Sequence, residues 1–243
     1  MLRRIVLFAI TLLVGAACVA LGFWQLRRLA ERRAYNAGAE AARALPPLEP
    51  GDGAAFRLEP NRRVTISGVY DEAQELRLRN RVVRGVPAVA IVTPLRITGR
   101  DTAVLVNRGY VPAPDASNPG DRTWAEPGER RVTGLALPVP DRGDGAPVAR
   151  EGRGETWQAL DLTAIRGRLP YPVHDLYLIA ELDSGSTAHT PDGGIYPIRA
   201  EPPALGDGPH LSYAIQWFGI AAAVVAFGVM FGLRRRKAAG AEI

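Results

Sequence analysis

Few residues of this 243-residue chain have the types and spacing that chemistry demands, and the most suggestive group is PHLSYAIQWF, Pro209 to Phe218. On a helix, His210, Tyr213 or Ala214, and Trp217 share one face. Trp217 then lies roughly 10 Å deeper along the axis than His210, from the helical rise per residue. An imidazole at the outer edge of a membrane, beside aromatic rings, can ligate the iron of a flat apolar cofactor such as haem. Arg27 and Arg28 stand at a similar depth beside another apolar run, where they can pair with propionates as a fork pairs with carboxylates. The same residues suit a plainer role, with His210 capping a helix at the interface and the aromatics anchoring it. Taken alone, they leave both readings open.

Other chemistry is sparse. LIAELDSGST runs an apolar strand into Asp183-Ser184-Gly185, the kind of loop that carries an aspartic-protease carboxylate. Such an enzyme needs a second aspartate, and no second Asp-Thr/Ser-Gly occurs, so Asp183 reads as turn composition and an envelope protease as the remote alternative. There is no GxSxG elbow, phosphate loop, HExxH or dinucleotide fingerprint. His174 and His189 stand isolated in loop-like contexts. Cys18 is the single cysteine, which excludes an internal disulfide, a CxxC zinc site and a paired-thiolate copper site.

Two apolar runs must position His210 and the arginines. Ile5 to Trp24 is uncharged over 20 residues, and Tyr213 to Leu233 matches it with Gln216 as its strongest polar interruption. Each reaches about 30 Å as a helix, one hydrocarbon thickness. RRRK, Arg234 to Lys237, follows the second run, so its C-terminus belongs in the cytoplasm, and two spans put Arg3 and Arg4 there too. Arg27, Arg28, Arg32 and Arg33 then fall outside, against the positive-inside rule. A cleaved signal is the alternative for the first run, because Gly15-Ala16-Ala17 follows an apolar core, but 20 residues exceed the usual signal length. Gly228 and Gly232, four apart, allow another helix to approach closely, or merely reflect how common glycine is in such helices. Of 30 basic residues all but Lys237 are arginine, interleaved with acids through the middle of the chain. That scatter excludes a nucleic-acid face, and the basic clusters beside the apolar runs point to anionic lipid.

The expected organisation is a cytoplasmic N-terminus at 1–4, a span at 5–24, a juxtamembrane helix and linker at 25–61, a periplasmic domain at 62–205, a helix entry at 206–212, a span at 213–233 and a cytoplasmic tail at 234–243. RRVTISGVY, AQELRLRNRVV, PAVAIVTPLRI, TAVLVNRGYVP, ERRVTGLALPV and DLYLIAEL read as strands, with IYPIR as a short edge strand. ALDLTAIRGRLP is the one internal helix, capped by Asp161 or Thr163. Residues 113–124, 141–155 and 183–194 read as exposed loops. The fold class is therefore a membrane protein, two transmembrane helices bracketing a mainly antiparallel β (α+β) domain.

LGFWQLRRL, GVYD, the TPL of IVTPL, VLVNRGYVP, ERRVTGLALP, WQALD and HLSYAIQWF occur in that order from Leu21 to about Leu233. Together they resemble the Surfeit locus protein 1 family of cytochrome c oxidase assembly factors. The family has tryptophan where Tyr110 stands and asparagine where Pro209 stands; the proline changes how the helix begins. The resemblance implies a non-catalytic factor of the bacterial inner membrane that helps deliver or stabilise haem a in the oxidase's catalytic subunit. His210 matches the family's candidate haem ligand. The implied partners are that subunit and the lipid bilayer, with a homo-oligomer left open; a scaffold that never touches haem is the rival reading.

Overall fold

A computed structural model describes residues 2–50, 57–120, 124–141, 148–150, 154–181 and 196–239. Along the chain run α1 (Leu2–Ala44), β1 (Arg63–Tyr70), a 3-10 turn (Glu72–Gln74), β2 (Leu76–Val83), β3 (Val86–Ile97), β4 (Ala103–Pro112), β5 (Glu129–Pro138), β6 (Val148–Arg150), β7 (Gly154–Thr156), α2 (Leu162–Arg168), β8 (Val173–Ala180) and α3 (His210–Ala239). Contacts divide the chain into a helical unit, residues 1–38 with 205–243, and a β unit, residues 39–204.

In the helical unit, two helices are long and apolar enough to cross a membrane. Their large side chains point outward: Phe8 is 63% exposed, Leu13 71%, Ile215 64% and Phe227 67%. A soluble core helix buries such groups, so these sides face lipid, and this is a membrane protein. The faces that the two helices turn to each other are small. A Cβ on Gly22 would stand 2.6 Å from the Phe218 ring, and one on Gly228 would stand 2.8 Å from Thr11 Cγ2. Gly228 therefore serves close approach within the chain. Phe23 packs edge-on against Phe218 at 5.3 Å between centroids. Helix α1 does not stop at the first span but continues unbroken to Ala44. Beyond it, Leu48 bridges Val64 of β1, so part of the expected linker joins the sheet.

In the β unit, β1 pairs with β5, β5 with β8, β8 with β4, β4 with β3, and β3 again with β1, which closes a five-membered ring. Every pairing is antiparallel except β4–β8. Counting β1 and β2 as one interrupted strand, these directions and this order are those of an OB-type Greek-key barrel. Strand β3 carries the interruption. Its first part holds β2 as far as the Leu76–Val92 pair, and its last part holds β1 from the Tyr70–Leu95 pair onward. Pro94 falls in the gap, its carbonyl accepting the Asp71 N–H at 2.8 Å. A residue's nitrogen and carbonyl point to the same edge of a strand, so the missing N–H of Pro94 faces the one place where no partner waits. That is why a proline is tolerated mid-strand here. At the crossover Gly68 is required, because a Cβ would run into the Arg96 carbonyl.

Alternation puts Val64, Ile66 and Tyr70 inside the barrel with Leu95, Val104, Val106, Val132 and Leu178. A second cluster lies on the other face of β2–β4, where Leu76, Leu78, Val92 and Leu105 meet Trp157, Ile165 and Leu169. Asp161 caps α2 by accepting from the Ala164 N–H at 2.9 Å, and so aims Ile165 at that face. Burying Ile165 contributes about 1.5–3 kcal/mol.

Several expected features differ. Residues 113–124 are not simply an exposed loop, since Ala113, Ser117 and Trp124 are buried. Within 141–155 the short strands β6 and β7 pair. The edge strand at IYPIR reduces to a two-bond bridge between Tyr110 and Ile198. Residues 183–194, with Asp183 and His189, lie outside the described residues.

Candidate functional site

Gln25, Arg28, Arg32 and Tyr35 recur at steps of three and four, so they form one stripe along α1. This stripe continues the buried face of Gly15, Cys18 and Gly22. Opposite it lies the chain leading into α3. Arg33 Nε pairs with Asp207 Oδ2 at 2.8 Å, and Arg32 Nε donates to the Gly206 carbonyl at 3.1 Å. Arg32 also stands 5.5 Å from the centre of the Tyr35 ring. Gly208, at φ +69°, then turns the chain into the helix.

His210 is the first residue of α3. Pro209 does not disturb that start, because its carbonyl accepts the Tyr213 N–H at 3.1 Å and its own missing N–H is one the first turn leaves unpaired in any case. The His210 Nδ1 lies 2.9 Å from Gln25 Oε1. The other ring edge is turned toward Gly208, where a Cβ would stand 3.5 Å from Cδ2 and 3.6 Å from Nε2. His210, Gly206, Asp207 and Gly208 line an open pocket of about 420 Å³ together with Arg28, Glu31, Arg32 and Tyr35 of α1.

Of the residues singled out from sequence, His210 and Arg28 come together in this pocket; Arg27 is exposed and is not part of its wall. Tyr213 is 45% exposed and Trp217 half-buried, and neither lines the pocket. Of the two residues offered for the face below His210, it is Ala214 that is buried. Sequence reasoning passed over Gln25, Glu31, Arg32, Tyr35 and Asp207, although the three-four-three spacing of Gln25, Arg28, Arg32 and Tyr35 was there to be seen. Arg28 donates to Glu31 at 2.7 Å, yet both side chains are more than half exposed, so the pair is worth about 0–1 kcal/mol and opens readily. Chemically, the pocket presents one imidazole edge and guanidinium donors, which suits a ligand carrying both a metal and carboxylates. Among the described residues no group of three or more His, Cys, Asp or Glu is placed to hold a bare metal ion.

A second charged cluster lies in the β unit. Arg108 is fully buried, 3.4 Å from Glu126, 3.7 Å from Glu72 and 4.0 Å from Glu75. It donates to the Trp124 carbonyl, and its guanidinium carbon stands 4.6 Å from the Tyr70 ring centre. Burial pushes the Tyr70 phenol up to about 12 despite the opposing pull of Arg108, so the ring is neutral. Arg199 donates to the Arg108 carbonyl at 2.6 Å and lies 3.9 Å from Glu126, while burial lowers its own pKa. The adjoining Gly109, at φ +126°, lies against the Ile198 carbonyl, where no side chain fits.

The SURF1 family model matches residues 12–222 of this chain. A SURF1-like protein of Rickettsia felis is 26% identical over 230 residues, covering 91% of this chain and 95% of its own length. Surfeit locus protein 1 of Takifugu rubripes is 26% identical over 231 residues, 87% of this chain and 91% of its own. The human protein of that name is 26% identical over 234 residues, 88% of this chain and 73% of its own.

Proposed function

This chain belongs to the SURF1 family, and from that membership we propose that it is an assembly factor for cytochrome c oxidase, aiding insertion or stabilisation of haem a in the catalytic subunit. It is a non-catalytic protein of the bacterial inner membrane that works on the oxidase subunit through contact, not turnover. The supporting observation is the imidazole of His210 at the start of α3, in a pocket shared with Arg28 and Arg32.

The donor set fits haem in two respects. His210 would supply a nitrogen ligand to the iron, and the guanidiniums of Arg28 and Arg32 would suit propionates. Glu31 and Asp207 make the wall polar, and the pocket is open, which favours brief holding over permanent enclosure. Haem, when bound, would bring the iron that His210 would ligate, and the chain's own residues would bind, orient and release it.

The orientation that goes with this role has both termini in the cytoplasm and the β unit in the periplasm, as RRRK after the second span favours. The contrary arginines after the first span have a reason to be there: Arg32 and Arg33 are bonded to the residues leading into α3. Reporter fusions near Val106 test this, and cytoplasmic activity there would refute it.

The haem role is tested on full-length protein purified from cells that make haem a. The wild type is expected to carry a Soret band and His210→Ala to lose it. Protein that copurifies with the oxidase subunit but never carries pigment would establish the haem-independent scaffold instead.

A further inference from the structure

We propose that Gln25 is the positioning residue for His210, holding its imidazole as the Nδ1–H tautomer so that Nε2 is the nitrogen offered to iron. The inference rests on the proposed haem role and says how this chain prepares its ligand for it.

Gln25 is only 8% exposed, on the face of α1 that also buries Gly22 and Leu29. A primary amide in such a seam is costly unless it is hydrogen-bonded. Its Oε1 is 2.9 Å from His210 Nδ1, a partner 185 residues away along the chain. A carbonyl oxygen can only accept, so Nδ1 must carry the proton. In the neutral ring the lone pair is then on Nε2, at the edge turned toward Gly208 in the pocket wall. The opposite tautomer would place a proton on the nitrogen that has to ligate. Gln25 thus does for His210 what an outer-shell acceptor does for metal-bound histidines generally, fixing both the tautomer and the ring plane.

The test is titration of ferric haem into purified full-length protein in detergent, read by the Soret band, with the midpoint potential of the bound haem as second readout. Gln25→Leu preserves an apolar helix seam and is expected to weaken binding about 10–100-fold and to raise the midpoint potential. Gln25→Glu, a stronger acceptor, should restore binding and lower the potential below that of the wild type. In a His210→Ala background, Gln25→Leu should have no further effect on affinity. If His210→Ala abolishes binding but Gln25→Leu binds with unchanged affinity and potential, the inference is overturned while the haem role stands. If Gln25→Leu binds weakly, but the potential does not move and Gln25→Glu does not restore affinity, Gln25 is only a packing residue and the inference again fails. Unchanged binding by His210→Ala would instead remove the ligand assignment, and the inference with it.

Discussion

Charge is gathered in two places in this molecule, around Arg108 in the barrel and around His210 where α3 begins, and the two are built to opposite ends. At Arg108 a fully buried guanidinium is met by carboxylates, a carbonyl and an aromatic ring. At His210 the arginines are largely exposed, with Arg28 at 55% and Arg33 at 58%, and among the described residues one edge of the imidazole has no partner. The first arrangement uses its charges to specify one structure; the second keeps bonding capacity in reserve. Depth of burial is therefore a poor guide to function here. What marks the helix entry is bonding capacity left accessible; among the described residues Arg108 Nε and both Glu126 carboxylate oxygens also lack a hydrogen-bond partner, but they are sealed inside the fold.

The contrast breaks most easily at Arg108. Replacing it with methionine leaves Glu126, 4% exposed, with Arg199 as its one ion-pair partner among the described residues, and should cost about 3–5 kcal/mol in chemical unfolding of the full-length protein. Arg28→Ala in the same assay should cost less than about 1 kcal/mol. Equal losses would erase the distinction drawn between the two clusters. Gly109→Ala comes next, at about 2–3 kcal/mol, because a Cβ there meets the Ile198 carbonyl at a backbone angle that other residues rarely adopt. A smaller effect sharpens the picture of the helix entry. A double-mutant cycle on Arg33 and Asp207 should return about 0.2–1 kcal/mol and fade as salt is raised, since both side chains are exposed.

The smallest effect concerns His174, outside both clusters. Burial holds its pKa below the ordinary 6.5, with Arg166 adding to that and Asp175 opposing it. The unfolded chain then binds this proton at a higher pH than the folded one, so the neutral ring's contribution is intact above 6.5 and is lost as pH falls below it. His174→Gln should flatten that part of the stability profile. An identical slope in the variant would assign the acid sensitivity to another group.

How much of this was legible follows from how local each signal is. The alternation of Val64, Ile66 and Gly68, the apolar run of β3, and the Asp161 cap of α2 depend on neighbours in sequence, and the strands and helix appear where they were read. Ring closure depends on β1 meeting both β5 and β3, and β4 meeting β8 in parallel, pairings that no short window contains. Arg108 looked like one scattered arginine among many, because nothing in VNRGYVP distinguishes a buried guanidinium from a solvated one. Gln25 was invisible for the same reason, its partner being on the other helix. The arginines after the first span registered only as a conflict with the charge rule, and their partners, Gly206 and Asp207, resolve into view only when the two helices are side by side.

The break between β1 and β2 has a further effect. Strand β1 is bonded along one edge to β5 and over its last residues to β3, whereas β2 has a strand partner, β3, along one side and, besides it, main-chain bonds to Trp157 and Ala116 and side-chain bonds to Gln158. With Pro94 at the seam, β2 can peel outward, once these bonds give, while the ring stays shut. Amide protons of Leu76 to Val83 should thus trade with deuterium well before those of Arg63 to Tyr70, which makes this one strand the barrel's natural hinge for partial opening.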